Sequence, residues 1–384
     1  MSYQCFLSLL RTVAVLCSLL LVVVTAVCPE PGTALSLTGS WVIQPVVTLW
    51  ADFFDCPGVS ISVERSSNEE GIARVCGQVA NPTDIGVATR ALRDSEATKV
   101  PTESEKDVYQ CVGSDRQIVA IDLALDGLVV LAVLGGTASN CLRSLESVTV
   151  NQVRWMFSNW TETELMETGN WDREATIPHS DGNPATRQWC ELSSSCPCVP
   201  ISIAGSPPET REHQYMQIAT EFASPAEDFR DSYTAFADTS DLIRYVGRTD
   251  TAVGFLRFAV YERSGFLLDA VPVVNPLTST AVRPSAATIA GNEYQPYSRR
   301  AFMYVWSEVL DNEVTPFVEF GFSEIGTSLV DQVNLVPLPS SEREYILDVL
   351  RQPLLVPSGC GSWSLWGTLF PVISSLYLLN TNNL

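Results

Sequence analysis

The chain has 384 residues, more than a single hydrophobic core usually supports, so one two-lobed unit or two domains is expected. With 46% apolar and 17% charged residues it lies far from the composition that keeps a chain disordered. Its 44 acidic against 23 basic residues give a net charge of -21 with no Lys/Arg-rich block, which excludes a nucleic-acid partner, although a recessed site of backbone N–H groups, hydroxyls and an Arg would still take a small anion.

Arg11 and the apolar run Val13–Val24, ending in Val24-Thr25-Ala26, predict residues 1–26 as a signal peptide. A membrane anchor is the competing reading, but the run falls short of the roughly 20 residues a spanning helix needs. Cys28 invites a bacterial lipid-attachment reading, yet Val27 stands where that signal wants a small residue. Beyond the leader, Ala34–Leu37 reads as a buried strand, Pro45–Phe54 as a helix and Val59–Glu64 as an alternating strand, a βαβ opening. A helix over Gly71–Val79, a strand at Asp84–Val87 and the apolar run Gly127–Val133 continue the α/β alternation.

Farther on, Ser147–Phe157 and Gln214–Ala223 have helical spacing, and 172–206 between them is a polar, Cys- and Pro-marked region. Ala252–Phe255 and Ala270–Val274 read as strands, Arg300–Val309 and Ser323–Gln332 as helices. The tail is apolar from Trp363 to Leu379 after the small residues 358–362. A lipid-anchor (GPI) signal, a short membrane span and a helix packed on the body all remain open there.

Export to an oxidising space accounts for the eleven cysteines. Cys5 and Cys17 leave with the leader. Cys56 and Cys76, flanking a βα step, are expected to bridge, and Cys111 with Cys141 to form a second pair. Cys190, Cys196 and Cys198 crowd one loop and cannot pair fully among themselves, and their spacing lacks the paired pattern of a zinc site. Asn159-Trp160-Thr161 is a glycosylation sequon, meaningful in a eukaryotic host.

No G-x-S-x-G, P-loop or H-E-x-x-H motif is present, and the two histidines, His179 and His213, have no flanking metal ligands. The chain is therefore read as a non-enzyme that needs no cofactor and no metal.

From about Leu35 to Pro339 the segments resemble, in order, those of the phosphate-binding (PstS-like) proteins of ABC transporters. Thr38–Pro45 followed by Leu49-Trp50 is similar to the family's opening G-S-S-T-V-x-P and its helix, Val63–Gly71 to its second loop, and Asp84–Arg90 to its D-I-G-x-x-S-R. Asp126–Val130 resembles a strand crossing between lobes, and Leu145–Phe157 with Trp160 a later helix. Thr210-Arg211-Glu212 falls at the family's S-G-T-R-E, and Tyr297–Arg300 matches its Y-P-L-S-R-P.

The resemblance implies a bilobal α/β fold of the periplasmic-binding-protein type (type II), with two mainly parallel sheets covered by helices, joined by two crossing strands and closing by a hinge. It puts residues 35–130 and 252–339 in lobe 1 and 131–251 in lobe 2, with 340–384 as a tail. It also implies a secreted, surface-tethered or periplasmic solute-binding protein, with an inorganic oxyanion as ligand and a membrane transporter or surface protein as partner.

Carried over residue by residue, the candidate ligands are Ser40, Asn68, Thr89, Arg90, Thr210 and Arg211. Three loops depart from the pattern: Trp41-Val42, Asn68-Glu69-Glu70 and Pro208-Glu209 stand where the family has small hydroxyl residues and glycines. A dehydrated anion needs converging donors, so Pro208, which has no N–H, and the three glutamates weaken the phosphate reading. The alternative is a structural or interaction protein of the cell surface that keeps the fold and has lost phosphate binding.

Overall fold

The computed structural model describes residues 28–102, 105–161, 183–220, 229–264 and 267–352. The predicted leader, His179 and the apolar stretch 363–379 lie outside them. In chain order the elements begin β1 Ala34–Ser40, α1 Gln44–Phe53, β2 Ser60–Ser66, α2 Asn68–Val75, β3 Ile85–Ala88, β4 Ala97–Lys99, β5 Asp107–Cys111 and β6 Gln117–Val133. They continue with α3 Thr137–Ser144, α4 Val150–Phe157, α5 Trp189–Leu192, β7 Ser202–Gly205, α6 Arg211–Ala219, β8 Thr234–Ala235, α7 Thr239–Arg248, β9 Ala252–Arg257, α8 Phe258–Arg263 and β10 Leu268–Ala270. The last are β11 Val273–Val274, β12 Ala281–Val282, α9 Ala286–Ala290, β13 Ser298–Trp306, α10 Thr315–Phe322, α11 Glu324–Gln332 and α12 Ser340–Arg351.

Two sheets share one strand. In the first lobe the order is β2-β1-β3-β13-β6, with β5 and β4 continuing beyond β6. In the second, the far half of β6 pairs with β9 and β10, and β9 leads to β7 and β8. Within the two sheets parallel pairing is confined to β2-β1-β3 and to β9-β7-β8, and antiparallel strands extend each sheet. At about 3.3 Å per residue, the 17 residues of β6 are long enough to serve both sheets. Residues Ile118–Gly127 pair with β13 and Leu128–Ala132 with β9, so the changeover falls beside Asp126-Gly127.

The first lobe is closed by tight backbone approaches. Gly39 has φ +141°, and a Cβ there would stand 2.1 Å from the Val87 carbonyl oxygen. A Cβ on Gly71 would stand 2.7 Å from the Gly39 Cα. Only glycines let α2 lie this close to β1 and β3, and that closeness fixes the loops after the three strands as one platform. On the other side of the sheet, Trp50 of α1 is buried edge-on between Phe317 and Phe322 and donates to the Gly326 carbonyl at 2.9 Å.

The structure corrects four expectations. Arg300–Val309 is not a helix. Ser298–Trp306 is the strand β13, wedged between β3 and β6, where Ala301, Met303, Tyr304 and Val305 are buried; a short apolar run has no period of its own to tell the two states apart. Ala252 does not return the chain to lobe 1. β9 lies between β6 and β7, and the chain re-enters the first sheet only at β13, because a fully buried strand carries no mark of which sheet takes it.

The expected Cys56–Cys76 and Cys111–Cys141 bridges do not form. The pairs are Cys28–Cys56, Cys76–Cys111, Cys141–Cys196 and Cys190–Cys198, since α2 carries Cys76 toward β5 and away from Cys56. The bridge at Cys28 also consumes the thiol that a lipid would need. Finally, the stretch assigned to the tail begins with a helix, α12, held on α10 by Arg343 donating to the Phe322 carbonyl at 2.8 Å and by Arg351 paired with Glu319. Among the described residues no helix is long and apolar enough to cross a membrane. Asn159 of the sequon is exposed.

Candidate functional site between the lobes

The loops after β1, β2 and β3 face α6 and the end of β9 across the changeover in β6. Ser40, 2% exposed at the end of β1, accepts from the Val42 N–H at 3.3 Å and shapes the turn that presents Trp41. Arg65 of β2 and Arg211 of α6 both lie over that indole, their guanidinium carbons 5.0 and 5.1 Å from the ring centroid. Trp41 thus joins the first lobe to the second through cation–π contact. Thr210 caps α6, its Oγ1 accepting from the His213 N–H at 3.4 Å and donating to the Pro207 carbonyl at 2.6 Å.

Asn68, Thr89 and Arg90 meet on the same side of the first lobe but are bonded to one another and to acids. Asn68 Oδ1 accepts from the Thr89 N–H at 2.9 Å. Arg90 reaches both oxygens of Glu96, at 2.8 and 2.7 Å, and Glu69 at 3.1 Å. The bond from Glu96 raises the Arg90 pKa and the same bond lowers that of Glu96, so the pair is ionised and its fork taken. Of the three worrying glutamates, Glu69 is spent on Arg90, while Glu70 and Glu209 are exposed.

The deeper part of the site comes from residues outside the candidate ligand set read from the sequence, although Asp126, Glu212 and Arg299 lie in its matched segments. Asp126, fully buried in β6, accepts two bonds from Arg299 of β13, Nε at 3.1 Å and Nη2 at 2.7 Å. Its other oxygen lies 4.0 Å from Arg257, which ends β9 and pairs with Glu212 at 2.7 Å. Arg299 also stacks on Tyr215 of α6, its guanidinium carbon 3.7 Å from the ring centroid. The buried Asp126 Oδ1 and Tyr215 hydroxyl have no hydrogen-bond partner among the described residues.

No carboxylate among the described residues lies within ion-pair distance of Arg211. Burial, then Arg257 and Arg65, push its pKa down to about 10. Two signals for this cluster were available in the sequence: an acid inside the apolar run of β6, and an Arg ending the apolar strand β9. Each needs a partner when buried.

Beyond Arg299 the cleft widens into a cavity of about 670 Å³ that Asn68, Thr89, Arg90, Tyr215 and Ile218 border. His213 points elsewhere. It is buried against Phe229, ring centroids 4.2 Å apart, and burial lowers its pKa to about 4. Among the described residues no group of His, Cys, Asp and Glu is placed to hold a metal ion.

No family model matches the chain. The crystal structure of a possible phosphate binding protein from Planctomyces limnophilus DSM 3776 superposes with a TM-score of 0.63 at 21% identity, over 84% of this chain and 98% of that one. An ABC-type phosphate transport receptor from Vibrio cholerae gives 0.55 at 15% identity, over 80% of this chain and all of the other. The chain has the phosphate-binding-protein fold. Protein SphX of Synechococcus elongatus is 25% identical over 306 residues, 79% of this chain and 77% of SphX. In the phosphate-binding-protein fold seen here, the loops after β1 to β3, the start of α6 and the crossing strand β6 meet between the lobes, which is where the guanidinium groups gather.

Proposed function

We propose that this chain is a non-catalytic solute-binding protein of an exported or periplasmic compartment, holding an oxyanion of phosphate type between its lobes for delivery to a membrane transporter. The carrying observation is the convergence of Arg211, Arg257 and Arg299 from three elements on one buried junction, with Arg65 across Trp41, in a chain whose net charge is -21. Three guanidinium groups at the junction, with the exposed Arg65 beyond Trp41, face two carboxylates, Asp126 and Glu212. A bound anion would supply the missing counter-charge where burial makes Coulomb attraction strong. Ser40, Thr89 and the unpartnered Tyr215 offer hydroxyl groups toward the cleft, Thr210 having spent its proton on the Pro207 carbonyl, and the N-terminus of α6 adds its dipole. We assign Arg90 to bracing the loop after β3, since both of its Nη groups are engaged by Glu96, Glu69 and the Ala91 carbonyl.

The cluster offers positive charge and hydrogen bonds converging on one point, an arrangement suited to holding an anion. The engagement of Arg90 and the placing of Trp41 in the cleft support a second reading, a surface protein that keeps the fold without the ligand. A thermal-shift titration of the purified protein separates the two, because a ligand at 100 times its dissociation constant adds about 2.7 kcal/mol of stability. Stabilisation in millimolar phosphate or sulfate is expected. A melting temperature that stays put in phosphate, sulfate and phosphate esters alike would overturn the reading and leave the structural one.

A further inference from the structure

We propose that the cleft takes a phosphate monoester with a polar organic body in preference to a bare inorganic ion, an inference that rests on the oxyanion reading above. The two lobes already touch at the Trp41 end, where Arg211 reaches across the cleft to the indole. The free volume is therefore gathered beyond Arg299, in the cavity of about 670 Å³. Pockets for organic ligands span about 300–1,000 Å³. A water molecule's share of liquid volume is about 30 Å³, so a five-atom oxyanion would leave most of this space unused.

The chemistry of the walls divides along the same line. On the α6 side the cavity is bordered by Tyr215 and by Ile218, a large apolar side chain 70% exposed. On the other side stand Asn292, Gln295 and Ser298, neutral amides and a hydroxyl from the segment leading into β13, while the charged part of the lining besides Arg299 is neutralised within the chain, Arg90 and Arg93 by Glu69 and Arg300 by Asp122 and Glu342. Apolar surface facing neutral donors and acceptors suits a polyol or sugar, whose ring carbons cover the one and whose hydroxyls meet the other. A bare tetrahedral anion uses neither. Arg299 belongs to both regions, bordering the cavity while its guanidinium bonds Asp126 within the cluster. A phosphoryl group near Arg299, Arg257 and Arg211 would extend its ester body past Arg299 into the cavity.

Calorimetric titration of the full chain with inorganic phosphate, glycerol 3-phosphate, glucose 6-phosphate and glucose tests this. At least one ester should bind tenfold or more tighter than inorganic phosphate, and glucose alone should give no heat. In Ile218→Asp, at a position open enough to accept the change, the preference of ester over inorganic phosphate should fall tenfold or more; Ile218→Ser serves if the first variant does not fold. Inorganic phosphate binding as tightly as every ester would overturn the inference and leave the oxyanion reading standing. An undiminished ester preference in the Ile218 variants would overturn it too. Silence from all four compounds would remove the oxyanion reading as well.

Discussion

Arg90 and Arg211 border the same cleft from opposite lobes, and their surroundings put them to opposite uses. Arg90 lies in the loop after β3, with Glu96 and Glu69 against its fork, so the chain itself neutralises it. Arg211 opens α6 with Trp41 as its neighbour and no carboxylate within ion-pair reach among the described residues, while Arg65 and Arg257 crowd it. An arginine is available to a ligand only when the fold withholds its counter-ion, and residue type alone does not reveal which case applies. The first lobe thus supplies a braced platform, and the junction with the second supplies the charge.

The comparison can be broken most forcefully at Asp126, the buried counter-ion of the junction. Asp126→Ala would leave Arg299 and Arg257 together in the interior, and a loss of about 3 to 5 kcal/mol in chemical denaturation is expected. A loss under about 1 kcal/mol would show that the cluster does not depend on its acid.

His213, two residues after Arg211 on α6, sharpens the same point, since its surroundings refuse a charge that Arg211 keeps. Its folded pKa of about 4 is below the ordinary 6.5, so the unfolded chain binds the proton first. Its contribution should be fully present above pH 6.5 and be lost as pH falls toward 4, by at most about 3 kcal/mol. His213→Phe should flatten the stability profile in that window; an unchanged slope would show that His213 does not set it.

The direct test of the contrast is smaller. Arg211→Ala should weaken oxyanion binding by about 2 kcal/mol, roughly thirty-fold, as loss of a charge-assisted donor. Arg90→Ala should leave affinity within about twofold and cost under about 1 kcal/mol of stability, because its ion pairs are partly exposed. The reverse ranking would return Arg90 to the ligand and assign Arg211 to holding Trp41.

Much of the fold was legible in the sequence, for a physical reason. The βαβ opening, β3 and the helices over 150–157 and 324–332 each carry their own period or cap, and a period is a local property. The engaged state of Arg90 was not legible, because Glu96 lies six residues away in an unpatterned loop that only the fold turns back. The disulfide partners, the strand identity of Ser298–Trp306 and the sheet that takes β9 were undecided for a related cause: each depends on what lies alongside, and buried apolar residues and cysteines look the same whichever neighbour they meet. The sequence by itself determined an α/β chain of two lobes whose loops keep only part of an anion-binding set. Only the tertiary structure decided which arginines those loops leave free, because a counter-ion is chosen by distance in space and Arg257, Arg299 and Asp126 come from three strands that pairing alone brings together.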